Sequence, residues 1–158
     1  MTPATDTPAP SPVVLAEQLL VALRAEAVPS NLVGMARYGI VTGDALGVSM
    51  PVVRRLAADA KRTLKRSLRA RHELAALLWE SSVHEARIMA SLVYTAALVD
   101  DAQLEAWLRE LDSWDTCDTL MNNLFRRAPL AWSKAHEWPE RDEEFVKRAG
   151  FVLGTAAG

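Results

Sequence analysis

The chain has 158 residues, 50% of them hydrophobic and 24% charged, and a formal net charge of −2 at pH 7. This composition is typical of one globular domain, and it is not the strongly basic composition of many nucleic-acid-binding chains. The longest charge-free apolar run, residues 88–99, is shorter than the roughly 20 residues that span a bilayer, which excludes a membrane helix there. The single cysteine, Cys117, excludes an internal disulfide and favours a cytoplasmic protein.

The first fifty residues contain a tail, one helix and a glycine-rich connection. Residues 1–11 are rich in proline and have neither the basic nor the apolar region of a secretory signal, so a disordered tail is predicted. Ser11 followed by Pro12 predicts the start of a helix that ends near residues 27–29. Residues 30–50 contain four of the seven glycines, and at most a short helix with turns is expected there.

The rest of the chain has helical spacing of apolar residues throughout and no sustained strand alternation. Ser49 and Pro51 predict a long helix through about Leu68, and a second helix is predicted over residues 72–80. Ser82 with Glu85 has the spacing of a capping box and predicts a helix to about residue 94. Further helix starts are predicted at Asp100 or Asp101, at Ser113, near Pro129 and near Asp142.

The helix starts recur along the chain. Those near residues 50, 83, 114 and 142 are separated by roughly 30 residues, and each is followed by a short connection and an antiparallel partner helix. This period predicts an all-α fold, namely an α-solenoid of HEAT-like helical hairpins, over a single domain of residues 12–158. A helical bundle is the alternative.

Basic residues are concentrated on one predicted helix. At about 100° per residue, seven basic side chains of the helix that begins at Pro51 fall on one arc of roughly 140°: Arg54, Arg55, Lys61, Arg62, Lys65, Arg66 and Arg69. Such a stripe suits contact with DNA phosphates. The stripe by itself favours a solvated outer face over contact with DNA, and contact with an anionic membrane surface is a third option.

The segment SWDTCD, residues 113–118, contains two carboxylates in different positions. Asp115 falls in the first turn of a helix capped by Ser113, where the helix dipole explains a negative charge. Asp118 lies one turn beyond Trp114, which places a carboxylate and an indole side by side at the edge of the buried face. That pair suits a ligand that carries or develops positive charge. A packed tryptophan beside a solvated aspartate is the simpler alternative.

An ordered series of motifs covers about residues 30–153: MARYGI (35–40), LGVSMPVVRRLA (46–57), LWESSVHEARIMASL (78–92), SWDTCD (113–118), NLFRRAPLAWSKAHEW (123–138) and EEFVKRAGF (143–151). In this series the chain resembles the DNA alkylation repair enzyme family, the AlkD-like alkylpurine DNA glycosylases built from HEAT-like repeats. The resemblance implies a stack of helical hairpins that holds duplex DNA. It also implies further C-terminal helices, which the chain is expected to lack.

The resemblance assigns roles to three residues. Asp118 matches the catalytic carboxylate, Trp114 the DNA-facing tryptophan and Arg148 the arginine that contacts the DNA backbone. The implied reaction is hydrolytic removal of cationic N3- or N7-alkylated purines from duplex DNA by a monomer, without metal or cofactor. A non-catalytic DNA-binding relative and a helical-repeat protein scaffold are the alternatives.

Several other residues of chemical interest are interpreted as structural. His84, Glu85 and Arg87 are assigned to the fold, Glu85 through the capping box, because the three histidines lack the spacing of zinc ligands. The remaining tryptophans are expected in the core or between helices: Trp79, Trp107, Trp132 and Trp138. Arg148 has an alternative role too, as an exposed pair with Glu144 one turn earlier.

Overall fold

The computed structural model describes residues 7–155, so part of the predicted disordered tail and the last three residues lie outside the described range. Within this range the chain forms α-helices and no strand, which confirms the predicted all-α fold class. The helices are α1 (Pro12–Ala25), α2 (Asn31–Arg37), α3 (Met50–Thr63), α4 (Leu68–Glu80), α5 (His84–Val93), α6 (Asp101–Arg109), α7 (Trp114–Asn123), α8 (Ala131–Glu137) and α9 (Glu144–Thr155). Short 3-10 helices occupy Ala96–Leu98, Phe125–Arg127 and Trp138–Glu140.

Side-chain caps explain where several helices begin. The Ser11 hydroxyl accepts a hydrogen bond from the Val14 amide at 3.3 Å at the start of α1, and Asp100 accepts one from the Gln103 amide at 2.8 Å at the start of α6. Such caps satisfy amide groups that have no partner within the helix. Both starts were predicted from these residues. Helices α8 and α9 each begin two residues later than Pro129 and Asp142 predict, a difference usual at helix ends.

The predicted long basic helix is shorter than expected. Helix α3 ends at Thr63, and residues 64–67 form a turn before α4 begins at Leu68. The Ser67 hydroxyl accepts a hydrogen bond from the Ala70 amide at 3.1 Å, so this serine caps a new helix, while Leu64 is buried in the core. The prediction of one helix through Leu68 is therefore wrong, and Lys65 and Arg66 lie in the turn.

The predicted capping box at the start of α5 is also wrong. Val83 occupies the cap position, and Ser82 has a positive φ of 60°. Glu85 is only 2% exposed, and its carboxylate accepts hydrogen bonds from the amides of residues 46–48. These amides belong to a buried loop and need a partner, which outweighs a local cap.

The helices pack in two layers. Helices α3, α5, α7 and α9 lie side by side in one layer, each against the next, and α4 and α8 pack behind α5 and α9. Helix α6 is joined to the same second layer, because Trp79 of α4 stacks on Trp107 of α6 with ring centroids 4.3 Å apart. This order of packing is the one that stacked helical hairpins produce.

Three of the four tryptophans expected in the core are buried there. Trp79, Trp107 and Trp138 are at most 3% exposed. Trp132 is 68% exposed and stands against the neighbouring His136 ring of the same helix, so its assignment to the core is wrong. Its spacing in the sequence does not distinguish the two outcomes, because α8 is a short helix of seven residues.

Candidate nucleic-acid interface

Helix α7 supplies two of the three residues that the sequence marks as functional. Its first residue is Trp114, and Asp118 follows one turn later on the same side. The intervening Cys117 is completely buried, and burial raises the pKa of its thiol to about 12. Cys117 is therefore protonated at neutral pH and is no nucleophile.

Asp118 is held by Arg148 of α9. The guanidinium donates two hydrogen bonds, from Nε to Oδ1 at 2.6 Å and from a terminal nitrogen to Oδ2 at 2.7 Å. The Asp118 side chain is 27% exposed and that of Arg148 is 42% exposed, so this bidentate pair is open to solvent. The hydrogen bonds that Arg148 donates to Asp118, more than the charge of Asp118, raise the pKa of Arg148. The alternative partner, Glu144, forms no ion pair with Arg148 in the described residues.

Trp114 completes a cluster with this ion pair. The Arg148 guanidinium carbon lies 5.6 Å from the centroid of the Trp114 ring, within range of a cation–π interaction. The indole nitrogen donates a 2.8 Å hydrogen bond to the backbone carbonyl of Tyr38. The structure therefore brings together Asp118, Trp114 and Arg148.

Tyr38 is a residue that the sequence reasoning missed. It follows the last residue of α2, and its side chain is 76% exposed although its carbonyl is bound to Trp114. The next residue, Gly39, has a positive φ of 75°, which lets the chain turn beside the indole. An exposed aromatic residue whose backbone is bonded to Trp114 suits contact with nucleotides. Its signal in the sequence is its place within MARYGI, the first motif of the resemblance.

A second charged pair lies beneath the cluster. Asp115 accepts hydrogen bonds from the Ser113 hydroxyl and from His84 Nε2, the latter at 2.8 Å. Burial lowers the pKa of His84, but hydrogen bonding and the negative charge of Asp115 outweigh it, so the pKa is raised overall. Burial also raises the pKa of Asp115, and the hydrogen bonds from His84 and Ser113 outweigh this, so that pKa is lowered. Both shifts favour an ionic pair.

The predicted basic stripe is not part of this cluster. Arg54, Arg55, Lys61 and Arg62 lie on α3, and Lys65 and Arg66 lie in the turn after it. Arg55 pairs with Glu26 of the α1 cap at 3.7 Å, and Arg62 pairs with Asp59. Within residues 7–155, none of these six basic residues forms an ion pair with Asp118, the one acidic residue of the cluster. Helix α3 does belong to the same layer as α7 and α9.

Metal sites and membrane spans are two further classes of feature that bear on function. No three His, Cys, Asp or Glu side chains of residues 7–155 are grouped so that they could hold a metal ion. Among the same residues, no helix is long and apolar enough to cross a bilayer.

The fold and these contacts define an all-α protein of packed helical hairpins with a partly exposed carboxylate and indole and an exposed guanidinium gathered on one layer. The family model described as DNA alkylation repair enzyme matches residues 19–156. The chain belongs to this family, and it is thus an enzyme of DNA repair whose partner is DNA. No curated protein and no solved structure matches it significantly.

Proposed function

We propose that the chain is an alkylpurine DNA glycosylase that hydrolyses the bond between deoxyribose and a cationic N3- or N7-alkylated purine in duplex DNA. The positive charge on such a base already weakens this bond. When it breaks, the base leaves with the bonding electron pair and becomes neutral, and the sugar becomes an oxocarbenium-like cation. Water then adds its oxygen to the anomeric carbon and releases a proton. The reaction needs neither a metal nor a cofactor.

The observation that carries this proposal is the partly exposed Asp118 carboxylate next to Trp114. A fixed negative charge beside the sugar stabilises it more in its cationic form than in the neutral form of the substrate, and it can orient the attacking water through a hydrogen bond. The Trp114 ring offers a flat surface against which the nucleotide can rest, and its π face attracts a cationic base. Asp118 is accordingly assigned as the catalytic carboxylate.

Arg148 is suited to link this carboxylate to the DNA backbone. A guanidinium has five N–H donors, and Arg148 uses two of them on Asp118. With its side chain 42% exposed, the remaining donors are accessible to a phosphate. One phosphate on Arg148 would hold the adjoining sugar close to Asp118, which is the position that the reaction requires.

The basic residues around α3 are assigned to more distant phosphates. Helix α3 lies two helices away from α7 in the same layer, so a duplex lying across that layer would reach both. These residues would position the duplex and would not take part in the reaction. They are Arg54, Arg55, Lys61, Arg62, Lys65 and Arg66.

The test is base release from a duplex that contains one N7-methylguanine. After incubation with the protein, heating cleaves the strand wherever an abasic site has formed, and gel electrophoresis measures the product. We expect strand cleavage at the modified position and none in an unmodified duplex. Release of intact methylguanine, measured by chromatography, distinguishes hydrolysis from strand cutting.

One observation favours a second function. Both oxygens of Asp118 accept hydrogen bonds from Arg148, which neutralises the carboxylate as it stands. A relative that binds alkylated DNA without removing the base would keep this pair intact. It would show salt-dependent duplex binding and no base release in the same assay.

A further inference from the structure

Two adjacent residues at the start of α5 are hydrogen-bonded to the two segments that hold Trp114, namely the first turn of α7 and the loop between α2 and α3. His84 is 6% exposed and Glu85 is 2% exposed, so neither can touch DNA directly. Each is nevertheless hydrogen-bonded to a different segment that contacts or carries Trp114. Both were interpreted from the sequence as structural residues, and the contacts suggest a more specific task.

Glu85 controls the loop between α2 and α3. Its carboxylate accepts hydrogen bonds from three consecutive backbone amides, those of Leu46 at 2.8 Å, Gly47 at 3.0 Å and Val48 at 3.2 Å. Gly47 has a φ of +79°, and a Cβ there would lie 2.2 Å from the Val28 carbonyl oxygen. The loop is therefore fixed in one conformation by a buried charge and a required glycine.

The other end of this loop holds the indole. Tyr38 begins the connection, and its carbonyl accepts the 2.8 Å hydrogen bond from Trp114 Nε1. The middle of the loop is attached to α5 as well, because the His84 amide donates to the Asp44 carbonyl at 3.0 Å. The indole is thus held against a loop that α5 fixes at three amides and one carbonyl.

His84 acts on the helix that carries Trp114. Its side chain binds Asp115, the residue directly after Trp114. Asp115 also accepts a hydrogen bond from Ser113, the residue directly before Trp114. The other ring nitrogen lies 3.5 Å from the Thr116 hydroxyl. The charged groups around the imidazole are Asp115, Glu85 and Asp112, with Asp44 and Arg87 lining the adjoining depression.

We propose that His84 and Glu85 are positioning residues for Trp114, His84 through the first turn of α7 and Glu85 through the loop that binds the indole nitrogen. Together they hold the ring between the helix that carries it and the loop carbonyl that accepts its hydrogen bond. They thereby fix its distance from Asp118 and Arg148. The part of this inference that concerns catalysis rests on the proposed function. The part that concerns the indole does not.

The direct test uses ¹⁹F NMR of protein labelled with 5-fluorotryptophan. The five tryptophans give separate resonances, and the Trp114→Phe variant identifies the one from Trp114. We expect His84→Gln and Glu85→Gln each to shift or broaden the Trp114 resonance while the other four stay in place. If Glu85→Gln does not fold, Glu85→Asp, which keeps the negative charge but shortens its reach to the loop amides, takes its place.

The matched control is Glu105→Gln. Glu105 is a partly buried carboxylate that accepts an indole hydrogen bond, from Trp138 at 3.2 Å, with its side chain 15% exposed. This substitution should destabilise the protein without moving the Trp114 resonance. A Trp114 resonance unmoved in His84→Gln and Glu85→Gln, or moved equally in Glu105→Gln, overturns the proposal.

Kinetics add a second readout. With a methylated duplex, single-turnover base release by His84→Gln or Glu85→Gln should slow by about tenfold because the indole is misplaced. Duplex affinity should change by less than about twofold because the phosphate contacts remain. Equal losses in rate and affinity would contradict a positioning role. Without base release by the wild type, the proposed function fails, and the NMR result alone decides the proposal about the indole.

A pH titration tests the His84 half separately. Because the His84 pKa is raised above its ordinary value, the pair with Asp115 should weaken as the pH rises above about 6.5 and through that raised pKa. The wild-type Trp114 resonance should move over that range, and in His84→Gln it should not. A response that persists without the imidazole would contradict the assignment.

Discussion

Helix α7 carries two aspartates one turn apart that live in different surroundings. Asp115 has its side chain 17% exposed and binds His84, whose side chain is 7% exposed. Asp118 is 27% exposed and binds Arg148, which is 42% exposed. The two ion pairs have similar hydrogen-bond lengths, 2.8 Å and 2.6 Å, so geometry alone does not tell them apart.

The energetics of the two pairs differ because water reaches the Asp118–Arg148 pair more easily than the Asp115–His84 pair. An exposed ion pair contributes about 1 kcal/mol or less to stability, and its members can exchange partners at little cost. Breaking a buried pair leaves a desolvated charge without a partner and costs several kcal/mol. The comparison therefore assigns stability to the inner pair, Asp115 with His84, and availability for a ligand to the outer pair, Asp118 with Arg148.

The largest expected effect is on catalysis, from Asp118→Asn. This change keeps the shape and removes the negative charge that is proposed to stabilise the sugar cation. Single-turnover release of N7-methylguanine should fall by at least about 100-fold, while the free energy of unfolding changes by about 1 kcal/mol or less. The control is Asp142→Asn, an exposed aspartate before α9, which should retain full activity. Equal activity of Asp118→Asn and wild type would exclude the mechanism.

The second prediction reverses the pattern on the same helix. Asp115→Asn leaves the buried His84 without its ionic partner and should lower the free energy of unfolding by about 3 kcal/mol near pH 6. Urea denaturation measures the change. The comparison would break down if Asp118→Asn proved as destabilising as Asp115→Asn, because the two pairs would then be energetically equivalent.

The third prediction concerns pH and separates the pairs further. The raised pKa of His84 means that its pairing stabilises fully below an unfolded-state pKa of about 6.5 and is lost as the pH rises through the folded-state value. The lowered pKa of Asp115 means that its contribution is lost only as the pH falls below about 4. The stability difference between wild type and His84→Gln should thus be largest between about pH 4 and 6.5, and it should shrink as the pH rises through the raised pKa of His84. A pH-independent difference would show that the pair is not ionic.

Much of the architecture could be predicted from local signals. Apolar spacing, serine and aspartate caps and the period of roughly 30 residues depend on nearby residues, and they gave the all-α class and most helix starts. The end of α3 was predicted too far along the chain because the residues that follow Thr63 also favour a helix. The helix ends at Thr63 through the cap at Ser67, which is a local contact, together with the burial of Leu64, which depends on tertiary packing.

The candidate site was predicted in part for a similar reason. Trp114 and Asp118 share one helix, so their spacing alone placed them together, whereas Arg148 is 30 residues away and was assigned through the family resemblance. The role of Glu85 could not be found locally, because its partners lie 37 to 39 residues earlier in the chain. A capping box explained the same glutamate with adjacent residues and concealed its long-range contacts.

The smallest expected effect tests whether the outer pair is available to DNA. In Arg148→Gln, one proposed phosphate contact is lost, so duplex affinity should fall by about fivefold at moderate salt, and the slope of log K against log salt should become shallower by about one. Fluorescence anisotropy with a labelled duplex at several salt concentrations measures both quantities. The matched control is Lys147→Gln, an exposed cation on the same helix that is not bonded to Asp118, and it should change the slope less. If Arg148→Gln leaves the slope unchanged, Arg148 only pairs with Asp118, and the outer pair is as closed to DNA as the inner one.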